Sequence, residues 1–341
     1  MIILGIETSC DETACAILKK EDNRIQILSN VVASSSKLQE KYGGVLPEQA
    51  AREQIKSIIP VIQEAIENCK LKIENLDAIS VTYGPGLIGS LLVGVETAKT
   101  LAKIYNKPLI PVNHLIGHFY ANWIENTPSF PCLGLLVSGG HTDLVLFKDH
   151  GKYEYLGGTR DDAVGECFDK CARLLGFPYP GGPHISKLAR LASRSKRAQM
   201  GDSTKFSLPI PMTNSKDLDF SYSGLKTAVA NIVQSSNFNS RTDKADLAAS
   251  LEETIVKSLL YKLNLALKKY PVKQLIVAGG VAANQKLSHS LQSTADSLGI
   301  QLYIPPPELC TDNAAMIASA AFFIKPLKDC FSLEADPNLA L

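Results

Sequence analysis

Ile3-Leu4-Gly5-Ile6-Glu7-Thr8-Ser9-Cys10-Asp11-Glu12-Thr13-Ala14-Cys15-Ala16-Ile17-Leu18 runs as an apolar strand, a short polar turn and a second apolar strand. That is a hairpin whose tip carries small and acidic groups. The pattern returns at Cys132-Leu133-Gly134-Leu135-Leu136-Val137-Ser138-Gly139-Gly140-His141-Thr142-Asp143-Leu144-Val145-Leu146-Phe147, matching Gly5 to Gly134 and Thr13 to Thr142. A second element repeats as well. Leu76 to Val81 leads into Tyr83-Gly84-Pro85-Gly86-Leu87-Ile88-Gly89-Ser90, and Lys273 to Ala278 leads into Gly279-Gly280-Val281-Ala282-Ala283-Asn284, each continuing as a helix. Each half therefore reads hairpin, helix, strand, Gly loop, helix. Two related α/β domains facing one another, with Gly loops and hairpin tips lining the cleft between them, are the natural product of such a duplication. Coincidence between generic strands is the competing explanation.

The halves differ in length. Hairpin to Gly loop takes about 75 residues in the first and about 140 in the second, so about 65 extra residues are inserted in the second domain, within 155–250. The expected domains are 1–113 with 316–341, and 114–315 with that insertion. The inserted stretch carries Arg190, Arg194, Lys196 and Arg197 on a helical segment. Such a cluster suits a phosphate backbone; it suits a solvated helix face equally well. Two longer helices read as scaffold: Gln49 to Asn68, with Ile55, Ile58, Ile59, Ile62 and Ile66, and Asp246 to Lys268, with Leu251, Ile255, Leu259, Leu263 and Leu267.

Composition narrows the function classes. The 341 residues are 45% hydrophobic and 20% charged with a net charge of +1, which describes an ordinary soluble chain with no global field for nucleic acid or anionic membrane. Any nucleic-acid contact must use a local patch. The eight cysteines contain no C-x-x-C pair and the N-terminal residues enter a strand without signal or transit features, so a reducing cytoplasm is the expected location. No apolar run approaches the roughly 20 residues that cross a bilayer, and no membrane association is expected.

His114 and His118, in Val112-Asn113-His114-Leu115-Ile116-Gly117-His118, stack two imidazoles on one helix face. That is half of a metal site, for which Zn, Fe, Ni or Cu are suited and a carboxylate is a common third donor. Asp312, in Thr311-Asp312-Asn313 ahead of the apolar helix Ala314 to Ala321, is the best-placed acid. Capping and ligation compete for it, and Thr311 is available as the cap. Ser138-Gly139-Gly140-His141-Thr142 is a tight turn in which missing Cβ atoms let backbone amides approach a phosphate; a plain hairpin turn has the same sequence. Gly279-Gly280, opening a helix, would present free N–H groups to an anion. Glu166 and Asp169 share a helix face and can accept hydrogen bonds from ribose hydroxyls, or stand as surface acids. Pro180-Gly181-Gly182-Pro183 is a rigid open turn that gives a ligand access to backbone.

Several chemistries are disfavoured. No P-loop and no dinucleotide fingerprint is present. A zinc peptidase of the H-E-x-x-H type places a Glu after the first His with two residues between the histidines; here Leu115 follows and three residues intervene, so the general base is missing. Neither G-x-S-x-G nor a Cys-His signature supports nucleophilic hydrolysis.

The motifs Ile6 to Thr13, Asn113 to His118, Val137 to Thr142, Phe220-Ser221-Tyr222-Ser223-Gly224-Leu225-Lys226-Thr227, Ala278 to Asn284 and Thr311 to Asn313 together resemble the universal tRNA N6-adenosine threonylcarbamoyltransferase family. The match covers nearly the whole chain, and Asp161 to Glu166 through Pro180 to Pro183 is similar to its bacterial and mitochondrial branch; the missing transit features favour a bacterial member. The resemblance implies an actin/Hsp70/sugar-kinase (ASKHA) type fold, two related α/β domains facing a nucleotide-binding cleft. It implies one divalent metal per subunit, Fe2+ or Zn2+, held by His114, His118 and Asp312. It also implies an adenylate held by Leu136, Val137, Ser138, Gly139, Gly140, Asp169, Gly182 and Asn284. Ser186 departs from members that carry Asp as a further nucleotide contact, and that role is not carried over. The implied reaction moves threonylcarbamoyl from threonylcarbamoyl-AMP to N6 of adenosine 37, next to the anticodon, in tRNAs reading codons that begin with A, forming t6A and releasing AMP. Asp11 is the candidate to orient or deprotonate the weakly nucleophilic amine. Implied partners are tRNA, a paralogous ASKHA subunit (TsaB-like) and a small ATPase (TsaE-like). Metallopeptidase (glycoprotease), ASKHA small-molecule kinase and non-catalytic nucleotide sensor are the rival classes; Leu115 disfavours the first, the second gives the His pair no task, and the third could dispense with the three metal donors, all of which this chain keeps.

Overall fold

The computed structural model describes residues 1–35, 39, 46–193, 206–235, 238 and 240–341. Arg194, Lys196 and Arg197 of the expected basic cluster lie outside the described residues. The chain divides into two units: Met1–Ser129, Asp149–Lys152 and Pro305–Leu341 form the first, Phe130–Lys148 and Tyr153–Ile304 the second. The expected boundaries at 113/114 and 315/316 both fall inside the first unit. The helix beginning at His114 packs against the helix beginning at Ala314 within that unit.

The first unit runs β1 (Ile2–Glu7), β2 (Glu12–Glu21), β3 (Arg24–Ser34), α1 (Pro47–Cys69), β4 (Ala78–Gly84), α2 (Ile88–Ile104), β5 (Leu109–Asn113) and α3 (His114–Tyr120). The second runs β6 (Cys132–Val137), β7 (Thr142–Asp149), β8 (Lys152–Gly158), α4 (Val164–Leu174), α5 (Gly181–Ser193), α6 (Ser223–Val233), α7 (Arg241–Lys269), β9 (Gln274–Ala278), α8 (Gln285–Leu298) and β10 (Gln301–Tyr303). The chain then returns to the first unit with α9 (Ala314–Ala321). The sheets have one topology, β3-β2-β1-β4-β5 and β8-β7-β6-β9-β10. Register repeats too: Gly5 pairs with Ala16 and Gly134 with Val145 across the hairpins, while Gly5 pairs with Ser80 and Gly134 with Ile276 in the parallel ladders. The duplication is therefore real to the residue in the hairpins. Each hairpin also gains an outer strand, β3 or β8, that the sequence reading did not separate. The extra residues of the second half form α4, α5, α6 and their connections, between β8 and α7.

β1 is the central strand of its sheet and is covered on both faces, which explains an unbroken Ile2-Ile3-Leu4-Gly5-Ile6 run in place of alternation. One face sends Leu4 and Ile6 into a core with Cys15, Ile17, Ile58, Ile62, Val81 and Val95. Burying Leu4 and Ile6 contributes about 1.5–3 kcal/mol each. On the other face a Cβ at Gly5 would stand 2.6 Å from the Ala314 carbonyl, so α9 lies against bare backbone. The Ala-rich sequence of α9 suits that close approach. α1 corrects the expected stripe: it buries Ile58, Val61, Ile62 and Ala65, whereas Ile55 and Ile59 are 64% and 51% exposed. The Ile-rich sequence contains two i, i+4 stripes and only one can face the sheet. In the second unit α7 buries Leu251, Ile255, Leu259 and Leu263 as expected.

Candidate metal centre and glycine loop

β5 passes directly into α3, and Asn113 makes the junction. Its side-chain oxygen accepts hydrogen bonds from the backbone N–H of Leu115 (2.8 Å) and Ile116 (3.3 Å), a helix N-cap, while its amide donates to the Ala340 carbonyl at 3.1 Å. The cap fixes where the helix starts, so His114 becomes its first residue and His118 follows one turn later. Their rings meet edge to face with centroids 4.7 Å apart. Close packing of α3 on α9 does the rest: a Cβ at Gly117 would lie 2.6 Å from Ile317 Cδ1. α9 is capped by Asn313, which accepts from Met316 N–H at 3.0 Å. Neither Thr311 nor Asp312 is the cap, so the expected competition for the Asp312 carboxylate does not arise.

Asp312 Oδ1 stands 3.2 Å from His118 Nε2 and 3.7 Å from His114 Nε2, and the donor atoms of the three residues lie within 4.8 Å of one another. Donors bound at about 2.0–2.2 Å to a tetrahedral ion stand about 3.3–3.6 Å from each other, so the spacing fits. A second observation supports the fit. His118 is 1% exposed, and apart from the Asp312 carboxylate facing Nε2 its ring nitrogens have no hydrogen-bond partner. Leaving such groups unpaired costs about 1–3 kcal/mol, which a metal bond at Nε2 would offset.

Burial strengthens the interactions among the ionisable groups around this triad. His114 Nδ1 lies 3.1 Å from Glu7 Oε2 and 3.2 Å from Ser9 Oγ. Burial opposes protonation of His114, but Glu7 and Asp312 outweigh it and raise its pKa to about 9. Burial opposes ionisation of Glu7, yet His114 beside it holds the carboxyl below its ordinary value. At the hairpin tip, burial followed by the charges of Asp312 and Asp11 pushes Glu12 up to about 9. Asp11 is itself 6% exposed and hydrogen-bonded to Glu12. Glu12 is thus held in its protonated form near neutral pH. The same burial and charges push the Cys10 thiol up, which removes it as a nucleophile.

In the first unit the Gly84 to Gly86 loop is filled by the chain itself. Asp336 N–H donates to the Tyr83 carbonyl (2.7 Å), Gly86 N–H to Pro337 (3.3 Å), and a Cβ at Gly86 would stand 2.5 Å from the Ser9 carbonyl. Its counterpart in the second unit differs. The turn after β6 closes through Ser138 N–H to the His141 carbonyl (2.8 Å) and His141 N–H to Ser138 Oγ (3.1 Å), and a Cβ on Gly139 or Gly140 would meet nothing within 4 Å. The start of α4 docks on this turn, with Gly165 N–H donating to the Ser138 carbonyl and Glu166 N–H to the Gly139 carbonyl, each at 3.1 Å. Gly279 approaches from β9 at φ +90°, where a Cβ would lie 2.4 Å from the Val137 carbonyl. It leads into a 3-10 turn, Gly280–Ala283, and α8 starts only after Asn284; the expected helix N-terminus at Gly279-Gly280 is displaced by that turn.

The other expected adenylate contacts are distributed around this loop with duties of their own. Leu136 and Val137 are fully buried in the sheet, leaving only their main chain for a ligand. Asp169 Oδ1 accepts from Gly181 N–H at 2.6 Å, tying the Pro180 to Pro183 turn to α4. Burial raises its pKa and that turn's N–H groups oppose the shift. Glu166 is paired with Lys170 at 2.8 Å. Asn284 caps α8 through Leu287 N–H (2.9 Å), and its amide donates to Glu252 Oε1 (2.7 Å) and Ser186 Oγ (2.9 Å). Ser186 also donates to Glu252 at 2.7 Å, so the departure at 186 is answered by a carboxylate from α7. Sequence reading missed both Glu7 and Glu252. The available signal was an acid closing an otherwise apolar strand and another on the buried stripe of an apolar helix.

Two domains of one topology, each a mixed five-stranded sheet with helices on it, define the actin/Hsp70/sugar-kinase class of fold. HypF of T. kodakarensis superimposes with a TM-score of 0.60 at 13% identity, over 94% of this chain and 46% of that one, which shows the fold alone. The family profile of tRNA N6-adenosine threonylcarbamoyltransferase matches residues 26–319. Curated members similar to the chain include those of Thermosipho africanus, 48% identical over 100% of both chains, and Geobacillus thermodenitrificans, 46% identical over 99% of this chain and 96% of that one. The chain belongs to the tRNA N6-adenosine threonylcarbamoyltransferase family and is a transferase.

Proposed function

We propose that the chain transfers the threonylcarbamoyl group of threonylcarbamoyl-AMP to N6 of adenosine 37 in tRNAs that read codons beginning with A, acting in the cytoplasm. The observation that carries this reading is the His114, His118 and Asp312 triad, with both imidazoles buried and facing one carboxylate, in a chain of this family. A divalent ion bound there, Fe2+ or Zn2+, would supply Lewis-acid polarisation of the donor's carbonyl or phosphate. The open Ser138-Gly139-Gly140 turn offers backbone N–H groups to the adenylate, supported by Gly182 and by Asp169 and Asn284, which hold the surrounding turns. N6 forms its bond to the carbamoyl carbon while the carbon–oxygen bond to phosphate breaks and AMP departs with the electron pair. Asp11, hydrogen-bonded to the protonated Glu12, takes the proton released from N6. Leu115, 3% exposed, supports no peptidase base in the position after the first histidine.

The reading includes a paralogous subunit and a small ATPase as partners. Its test is incubation of the protein and those partners with unmodified tRNA and threonylcarbamoyl-AMP, followed by mass spectrometry of the nucleosides. Absence of the modified nucleoside with a folded, metal-loaded assembly overturns the assignment. Asp11→Ala is expected to lower turnover about 100-fold or more with metal content retained; unchanged turnover removes Asp11 from the mechanism.

A further inference from the structure

Glu7 closes β1 and is 1% exposed, yet it carries a carboxylate where five apolar or glycine positions precede it. Burying such a charge is costly unless several donors meet it. Three do. Ser9 N–H donates to Oε1 at 2.6 Å, Thr82 Oγ1 donates to Oε2 at 2.5 Å, and His114 Nδ1 faces Oε2 at 3.1 Å. Because Oε2 is an acceptor only, the proton between it and the ring sits on Nδ1. The lone pair of a neutral His114 is then on Nε2, the nitrogen that faces Asp312. His118 has no such partner on Nδ1.

We propose that Glu7 is the positioning residue of the metal centre, fixing His114 as the Nδ1–H tautomer and thereby presenting Nε2 to the ion. The proposal rests on the triad reading above and assigns a role to a residue outside it. Glutamine at this position is a severe test because every neighbour of the carboxylate is a donor. Ser9 N–H is a fixed donor and claims the amide oxygen. The amide NH2 is left facing Thr82 and His114, where the hydroxyl can turn but the imidazole must accept at Nδ1. His114 then carries its proton on Nε2 and is lost as a ligand.

The experiment measures Zn2+ affinity by chelator competition at pH 9, with Co2+ absorption spectra as a report on ligand geometry. Glu7→Gln is expected to weaken Zn2+ about 10–100-fold and change the Co2+ spectrum. Ser9→Ala, which removes the hydroxyl 3.2 Å from Nδ1 and its hydrogen bond to Glu7 but leaves the carboxylate in place, is expected to stay within about twofold of wild type. Equal affinity in wild type and Glu7→Gln overturns the proposal, as does a loss in Ser9→Ala matching that in Glu7→Gln. Long-range 1H–15N correlations on the zinc-loaded wild type decide the matter if Glu7→Gln does not fold: a proton on His114 Nδ1 supports the assignment, and one on Nε2 overturns it. Wild-type protein that binds no Zn2+ would remove the triad reading itself, an outcome separate from binding that is indifferent to Glu7.

Discussion

Raising the pH from 7 to 9 should tighten metal binding about 100-fold, because in the metal-free protein an ion must displace a proton from His114. Burial disfavours that proton, but Glu7 at 3.1 Å and Asp312 at 3.7 Å outweigh it and bring the pKa to about 9. At pH 7 the proton is therefore held about two pH units below its midpoint, which is about 2.7 kcal/mol, or a factor of about 100, against the ion. Apparent affinity should climb about tenfold per pH unit and level off near pH 9. Zn2+ binding calorimetry at pH 7.5 in two buffers of different ionisation enthalpy should count close to one proton released per ion. A flat affinity between pH 7 and 9 with no proton released would refute the electrostatic reading of the cluster. The same raised pKa has a folding consequence of fixed sign. Protonated His114 stabilises the metal-free fold below about pH 6.5, and that contribution disappears as pH rises through about 9. Thermal melts of metal-free protein should show this decline, and saturating Zn2+ should suppress it.

Three further outcomes follow from single contacts. Asp143→Asn is expected to stabilise the protein at pH 7.5 by about 1–3 kcal/mol in urea titrations and to be near neutral at pH 4, because burial raises the Asp143 carboxyl to about 6 against the hydrogen bond from Tyr155. The folded state favours the protonated acid, so the penalty grows as pH rises from about 4 to 6 and is constant above. Asn113→Ala removes the cap that sets His114 at the first helical position, so a loss of about 1 kcal/mol in stability should come with weaker Zn2+ binding. Gly279→Ala places a side chain at φ +90° against the Val137 carbonyl, a backbone neighbour that cannot swing away, and should cost about 1–3 kcal/mol by denaturant titration.

The parts of this molecule that sequence disclosed are those with local causes. A hairpin and a Gly loop each leave a pattern within about 20 residues, so their repetition exposed the duplication, and the structure returns it as one sheet order used twice. The His pair needed only helical spacing. What stayed hidden depends on which face or partner tertiary packing selects. Two isoleucine stripes on α1 are equivalent as sequence, and only the position of the sheet decides that Ile58 and Ile62 go inside while Ile55 and Ile59 do not. Asn113 and Asn313 both proved to be caps, since the chain turns into a helix at each, so capping at α9 does not involve Asp312. Glu7 meets a histidine 107 residues along the chain, a separation at which no periodicity carries information.

The segment near the C-terminus that fills the Gly84 to Gly86 loop has a practical bearing on how the protein can be handled. Its last contact, Ala340 to Asn113, reaches the very residue that starts the histidine helix. An extension attached beyond Ala340 would pull on that contact, whereas Met1 lies at the exposed start of β1, where its ammonium donates to the Lys20 carbonyl and stands 4.0 Å from Asp77. A label placed at Met1 should leave the His114 helix seated, whereas one that disturbs Ala340 should loosen its first turn.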